Sequence, residues 1–394
     1  MPRLRLLKIH PLLTRLLIAL SLTSTLNGCQ PEAPQKEAGI LTTAVPAQTV
    51  DLELTQVTNG AWHLASLELQ ETLIQAQRLH QSINLLLAGP SELTLSDARE
   101  QWHKTHRTLQ QLAPFFSLGE INPGLLGQLD DSRFQLDAWP IQAGYLDYFD
   151  VYSHSGLVND IAVPMTAATL RSQHGFSDNN DISIGLHAMA YLLWGEEKQR
   201  PIGDLKASIA LSTSQKQSGM SIVDLPSNRR RTLLKLHSNL LPDDLEALLY
   251  RMKHSASAVS IAYHSLSPEA RLLLWRQTLQ HVLADDLLAT QLAPKRSPST
   301  DFIEHNQFSG RRASALSHSM AGVERLPWHK AEGHDRALID WIVEAEDRAP
   351  LRLQFQQLQQ QLSHLDEQWQ DLPAATHAQL LQQLQLIIEQ LRPA

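Results

Sequence analysis

Gly185-Leu186-His187-Ala188-Met189-Ala190-Tyr191-Leu192-Leu193-Trp194-Gly195 reads as part of a helix running from Ile182 to Trp194 and stopped by Gly195. Its side chains are apolar on every face, so the segment has no surface to offer water and belongs inside a helical core. The one basic group is His187. Residues three apart on a helix share a face, so a carboxylate at position 190 would stand beside the imidazole and both could grip a cation. Position 190 holds Ala190, whose methyl group has no lone pair. His187 is either a metal ligand or a buried, hydrogen-bonded core histidine.

Working outward, the chain reads as helix after helix. Apolar residues recur at helical spacing from Ala61 to Leu87 until Gly89-Pro90 breaks the run. Thr94 or Ser96 can then cap a helix whose stripe is Ala98, Trp102, Thr105, Leu109 and Leu112, ending near Pro114. Ile182 to Trp194 forms the next, and periodic stretches follow at 227–265, 268–292, 334–365 and 374–391. Loops are expected at Gly119–Gly127, His174–Asp181 and the Pro/Ser/Lys cluster 294–300. Aromatic residues make up only 6% and strand alternation is hard to find, so the expected class is all-α. Heptads are not sustained, which favours antiparallel bundle helices over a coiled coil. The chain is long for one core, and the reading divides it into a bundle over 49–222, carrying His187, and a second over 223–394.

The beginning of the chain addresses the envelope. Arg3, Arg5, Lys8 and Arg15 accompany the apolar run Leu16–Leu22, a secretory signal pattern assigned to residues 1–28. The run closes on Leu26-Asn27-Gly28-Cys29, which looks like a bacterial lipobox, and Cys29 is the only cysteine. Its expected use is lipid attachment, with residues 29–48, containing Pro31, Pro34 and Pro46, as a tether. Gln30 is not the aspartate of inner-membrane retention, so the expected location is the periplasm-facing side of a Gram-negative outer membrane. Removing 1–28 takes away four basic residues and no acids, moving the formal net charge from −8 to −12. That balance argues against nucleic acid. A single cysteine excludes haem attachment through Cys-x-x-Cys-His, no nucleotide is expected, and neither His-Glu-x-x-His nor Gly-x-Ser-x-Gly occurs.

The segment 185–195 resembles the imelysin family signature, Gly-x-His-x-x-Glu followed by Leu-Leu-Trp-Gly, with Ala190 in the place of the glutamate. Ala98-Arg99-Glu100-Gln101-Trp102, Asp137-Ala138-Trp139-Pro140, Tyr145-Leu146-Asp147-Tyr148 and Glu304-His305-Asn306-Gln307-Phe308-Ser309 look like further family landmarks in family order. The resemblance implies two packed helical bundles with a binding cleft between them. It also implies an envelope protein linked to iron acquisition and, in some members, to peptidase activity. After Ser309 the family often has Asp-x-Thr; here Gly310-Arg311-Arg312 follows. Arg311 and Arg312 could hold an anion such as a carboxylate or a chelated metal, or be solvated. Trp139, Tyr148, Tyr191 and Trp194 line the cleft or belong to the core.

Other histidines give few alternatives. His-x-x-acid occurs at His329/Glu332 and His364/Glu367, about as often as composition alone produces it. His329, Glu332, His334 and Asp335 gather in one loop-like stretch, and His103 and His106 sit three apart beside Trp102. The resulting expectation is a lipid-anchored protein taking part in uptake of iron, another metal ion or a metal complex. It would be non-catalytic, with a degenerate site at His187, and its partners would be the membrane and iron-uptake or envelope redox proteins. Two alternatives stand beside it: a metallopeptidase with substitute ligands, and a scaffolding lipoprotein.

Overall fold

Asp51 opens the first helix of the computed structural model, its carboxylate accepting from Leu54 N at 3.0 Å. The structure describes residues 51–196, 198–292 and 306–392, and among them are fifteen α-helices and no β-strand. The residues expected to form a leader and tether, with Cys29, lie outside the described residues, as do Glu304 and His305. No helix among the described residues is long and apolar enough to cross a membrane.

Helix α1 (Leu52–Ala88) and α2 (Glu92–Gln110) form an antiparallel hairpin across Gly89-Pro90. The cap of α2 is Ser91, earlier than either residue expected: Ser91 Oγ accepts from Thr94 N at 3.2 Å while Ser91 N donates to Thr94 Oγ1 at 3.0 Å. This reciprocal box satisfies two orphan amides at once. The stripe Ala98, Trp102, Thr105, Leu109 and Leu112 is buried as its spacing requires.

The expected loop at Gly119–Gly127 is helical. Here α3 (Ala113–Ile121) and α4 (Pro123–Asp137) fold back on each other with only Asn122 between them. Pro123 at N1 fits a helix start, and Gly119 permits the close crossing, since a Cβ there would lie 2.6 Å from Asp130 N and 2.9 Å from Leu126 O. The sequence reads Gly119 as a breaker because the reason for it is another helix.

Beyond α4 the chain is less regular, with short α5 (Ala143–Leu146) and α6 (Ala167–Gln173) before α7 (Leu186–Trp194). This stretch is tied to α9 (Pro226–Lys253) by buried charge. Asp147, fully buried, meets Arg230 at 2.5 Å and Arg200 at 3.0 Å, and Arg229 donates to the carbonyls of Leu157, Val158, Asp160 and Val163. Short α8 (Thr213–Gln217) lies between α7 and α9.

After α9 come α10 (Ala258–Ser265) and α11 (Pro268–His281), which runs on into π-helical turns over Val282–Leu292. Trp62 of α1 stacks on Tyr263 of α10 at 4.4 Å, Tyr263 donates to Thr58 O at 2.7 Å, and Trp275 of α11 donates to the Tyr263 hydroxyl at 2.7 Å. Next is α12 (Arg312–Trp328), then short α13 (Ile339–Ile342), α14 (Ala345–Ser363) and α15 (Ala374–Gln390). The periodic stretch expected from 334 starts as a helix only at 345 or at the short α13, and Pro350 lies inside α14, past its first turn, where it removes the intrahelical bond to Glu346 O. One continuous apolar core runs from Val57 to Leu391, so helices on both sides of position 222 share it.

Candidate metal centre

Gly185 sets the position of His187. Its φ of +95° is left-handed, and a Cβ there would stand 3.0 Å from Gln135 O and 3.1 Å from Leu136 O. The first turn of α7 can therefore press against the last turn of α4, which ends in Asp137. Helix α2 holds α7 at both ends. Trp102 Nε1 donates to Leu186 O at 2.9 Å, and Arg99 donates to Leu193 O at 3.1 and 2.8 Å from two nitrogens. Arg99 and Trp102 thus have a physical task, satisfying carbonyls of a helix that carries few polar groups.

Three helices consequently deliver three donors to one place. Asp137 Oδ1 lies 3.2 Å from His187 Nε2 and 3.8 Å from His106 Nε2. The donor atoms of the three residues all fall within 4.8 Å of one another. Donors around a tetrahedral ion at bond lengths of about 2.0–2.2 Å stand about 3.3–3.6 Å apart, so these separations fit one cation with small adjustment. His106 is stacked on Trp102 at 4.7 Å with 10° between planes, and His187 lies 4.9 Å from the Trp139 ring. Gln110 Nε2 donates to Asp137 Oδ2 at 2.6 Å and is itself oriented by Ser319 of α12, whose hydroxyl donates to Gln110 Oε1 at 3.0 Å. That outer contact fixes the carboxylate and turns Oδ1 toward the imidazoles. Burial pushes the Asp137 carboxyl upward, but His187, His106 and Arg133 outweigh it and hold the group below its ordinary value. Asp137 is therefore an anion at neutral pH.

The carboxylate missing at Ala190, which is buried, is thus matched in kind by one fifty-three positions earlier in the chain. Sequence spacing gives no sign of it, because Asp137 approaches through the α4–α7 contact rather than along α7. The pairing of His103 with His106 also dissolves: His106 faces the centre, while His103 packs against Trp194 at 5.1 Å.

Asp137 opens onto a cavity of about 680 Å³, also bordered by Arg133, Trp139, Glu120, Asp286 and Gln291. A second group with metal-like spacing, Glu120, His281 and Asp286, reaches it through its two acids. There, however, Arg133 pairs with both Glu120 and Asp286, and His281 Nε2 lies 2.8 Å from Glu120 Oε2 with its Nδ1 2.9 Å from Asp285. Arg133 balances the acids that a cation would need. Among the described residues, neither the 329–335 loop nor His364/Glu367 forms such a group.

The remaining residues singled out in the sequence separate. Trp139 borders the large cavity, whereas Tyr148 donates to Asp204 at 2.7 Å beneath Arg200, in the buried ion network. Tyr191 donates to Tyr148 O at 2.5 Å and Trp194 packs edge-on to Trp102 at 5.2 Å, so both are core. Arg311 is exposed and 3.2 Å from Glu100; Arg312 turns inward to Gln291 O and lies over Trp369 at 5.2 Å.

The imelysin peptidase family model matches residues 65–391. A crystal structure from Parabacteroides distasonis, of a protein described as an iron-regulated protein A precursor, superposes with a TM-score of 0.53 at 11% identity, covering 88% of this chain and 97% of that one. At that identity the likeness is one of fold. No curated protein matches the sequence significantly. The match along almost the whole described chain, with the histidine-bearing helix at the centre of its donor cluster, establishes that the chain belongs to the imelysin family.

Proposed function

We propose that this protein is an envelope-anchored imelysin that binds a metal ion through His187, Asp137 and His106 and serves uptake of iron, another metal or a metal complex. The observation that carries the reading is the Asp137 carboxylate facing imidazoles from two other helices at ligand-like separation. A nitrogen-rich set with one carboxylate suits a first-row divalent ion. A bound ion would contribute positive charge to a buried anion; the protein's residues hold the ligands, orient them through Gln110 and Ser319, and border them with Trp139.

The role is binding without catalysis. Peptide hydrolysis needs a base beside metal-activated water in addition to the ligands. Of the three other acids bordering the cavity, two, Glu120 and Asp286, are engaged by Arg133, which supports the non-catalytic reading; the third is Asp130. Lipid on Cys29 would hold the folded body at the periplasmic face of the outer membrane, near iron-uptake or redox partners. The Parabacteroides neighbour is described as iron-regulated, in keeping with an iron-related role.

Titration of purified protein with ferrous, manganous and zinc ions by calorimetry is expected to give one site per chain, lost in His187→Ala. Silence with every ion, or chelator-sensitive peptide cleavage abolished by His187→Ala, would overturn this proposal.

A further inference from the structure

His106 has a second neighbourhood. Between α2 and the start of α12 lies a pocket of about 180 Å³, bordered by His106, His103, Lys104, Arg107, Arg311 and His318. Glu100 is the one acid on its rim, and it is paired with Arg311 at 3.2 Å. Lys104 and Arg107 make no ion pair among the described residues. A further cation comes from Lys198, whose ammonium stands where a Cβ on Gly310 would come within 2.9 Å of it, next in the chain to Arg311. Cations therefore converge here, with one acid, in a chain whose net charge is −8. Charges of one sign repel, and solvation alone would spread them; a concave site lined by one sign concentrates counter-ions.

The histidines bear on which charges matter. Burial, with Arg311 and His318 nearby, pushes His103 down to about 3, and burial with Arg107 and Arg311 pushes His318 down to about 4. Both are neutral at pH 7 and can donate one hydrogen bond each. The fixed positive charge is that of the lysines and arginines. The volume falls below the roughly 300–1,000 Å³ of sites for drug-sized ligands, which selects a small ion.

We infer that this pocket binds a small oxyanion, a carboxylate or phosphate, that accompanies the cation, so that metal and anion are taken as a pair on either side of His106. The inference rests on the metal reading for the pairing, but not for the anion site itself.

Calorimetry with citrate and with inorganic phosphate, on the metal-free protein and again with zinc added, tests both parts. Metal-free protein is expected to bind at least one anion, with affinity falling as sodium chloride is raised, and the double variant Lys104→Gln/Arg107→Gln is expected to bind it about tenfold more weakly. The same variant should keep its thermal midpoint and its zinc affinity in anion-free buffer. Citrate without phosphate would assign the site to carboxylates, and the reverse to phosphate. If neither anion binds at millimolar concentration, or the variant binds equally well, the pocket is not an anion site, whatever zinc does. If the anion binds with an affinity that zinc leaves unchanged, the pairing is wrong.

Discussion

Two groups of histidine and carboxylate reach one cavity through their acids, and they differ in a single guanidinium. At His106, Asp137 and His187 one carboxylate oxygen is oriented by a neutral amide, and the other faces the imidazoles. At Glu120, His281 and Asp286, Arg133 lies against both acids and supplies the positive charge. Residue types and spacing satisfy the same metal-site geometry in both. The lesson is that donor geometry is necessary but the local charge balance decides, since a cation entering the second group would have to displace a cation already held by hydrogen bonds.

The largest effect expected separates the groups by ligand removal. Asp137→Ala should weaken zinc binding by more than about a hundredfold, since even outer contacts to metal ligands are worth 10- to 100-fold. Glu120→Ala should leave it within about twofold. Competition titration against a chelating dye measures both, and equal losses would erase the distinction between the groups.

Removing the guanidinium should convert one group toward the other. Arg133→Gln leaves Glu120 and Asp286 without their partner, and a loss of about 1–3 kcal/mol of stability is expected, moderated because these side chains are only half-buried. The variant should also gain a second, weaker zinc site, visible as a change in stoichiometry. Unchanged stoichiometry together with unchanged denaturant midpoint would show that Arg133 is not what fills the second group.

The smallest effect is one of sign with pH. Ligand imidazoles must be neutral, so zinc affinity at the first group should rise with pH. At the second, hydrogen bonding to Glu120 outweighs burial and raises His281 above its ordinary value. A raised folded value gives stability that is fully present below pH of about 6.5 and is lost as pH rises through the folded value. The destabilisation caused by His281→Gln should accordingly be about 1 kcal/mol or less at pH 6 and shrink toward pH 8.5, as followed by urea midpoints.

Part of this was open to reading in advance. The buried stripe of α2, the stop of α7 at Gly195, and the Gln/Leu-rich last helix all follow from local periodicity, which a sequence displays directly, whereas α7 starts at Leu186 and not at Ile182 as expected. Gly119 was misread as a loop residue because its meaning lies in a contact with α4. Asp137 stood in the sequence as a family landmark with no assigned task, and its distance along the chain from His187 concealed the one in space. No residue pattern separates Arg311 from Arg312, although one reaches the surface and the other the core.

Apolar spacing, caps and the histidine-bearing motif determined that this chain is helical and which family it joins, because those properties depend on neighbours a few residues apart. The composition of the cluster around His187 was decided only by tertiary packing. Donors must meet within a few ångströms, and that proximity comes from the closeness of α2, α4 and α7, which glycine at 185 permits and no short-range periodicity encodes.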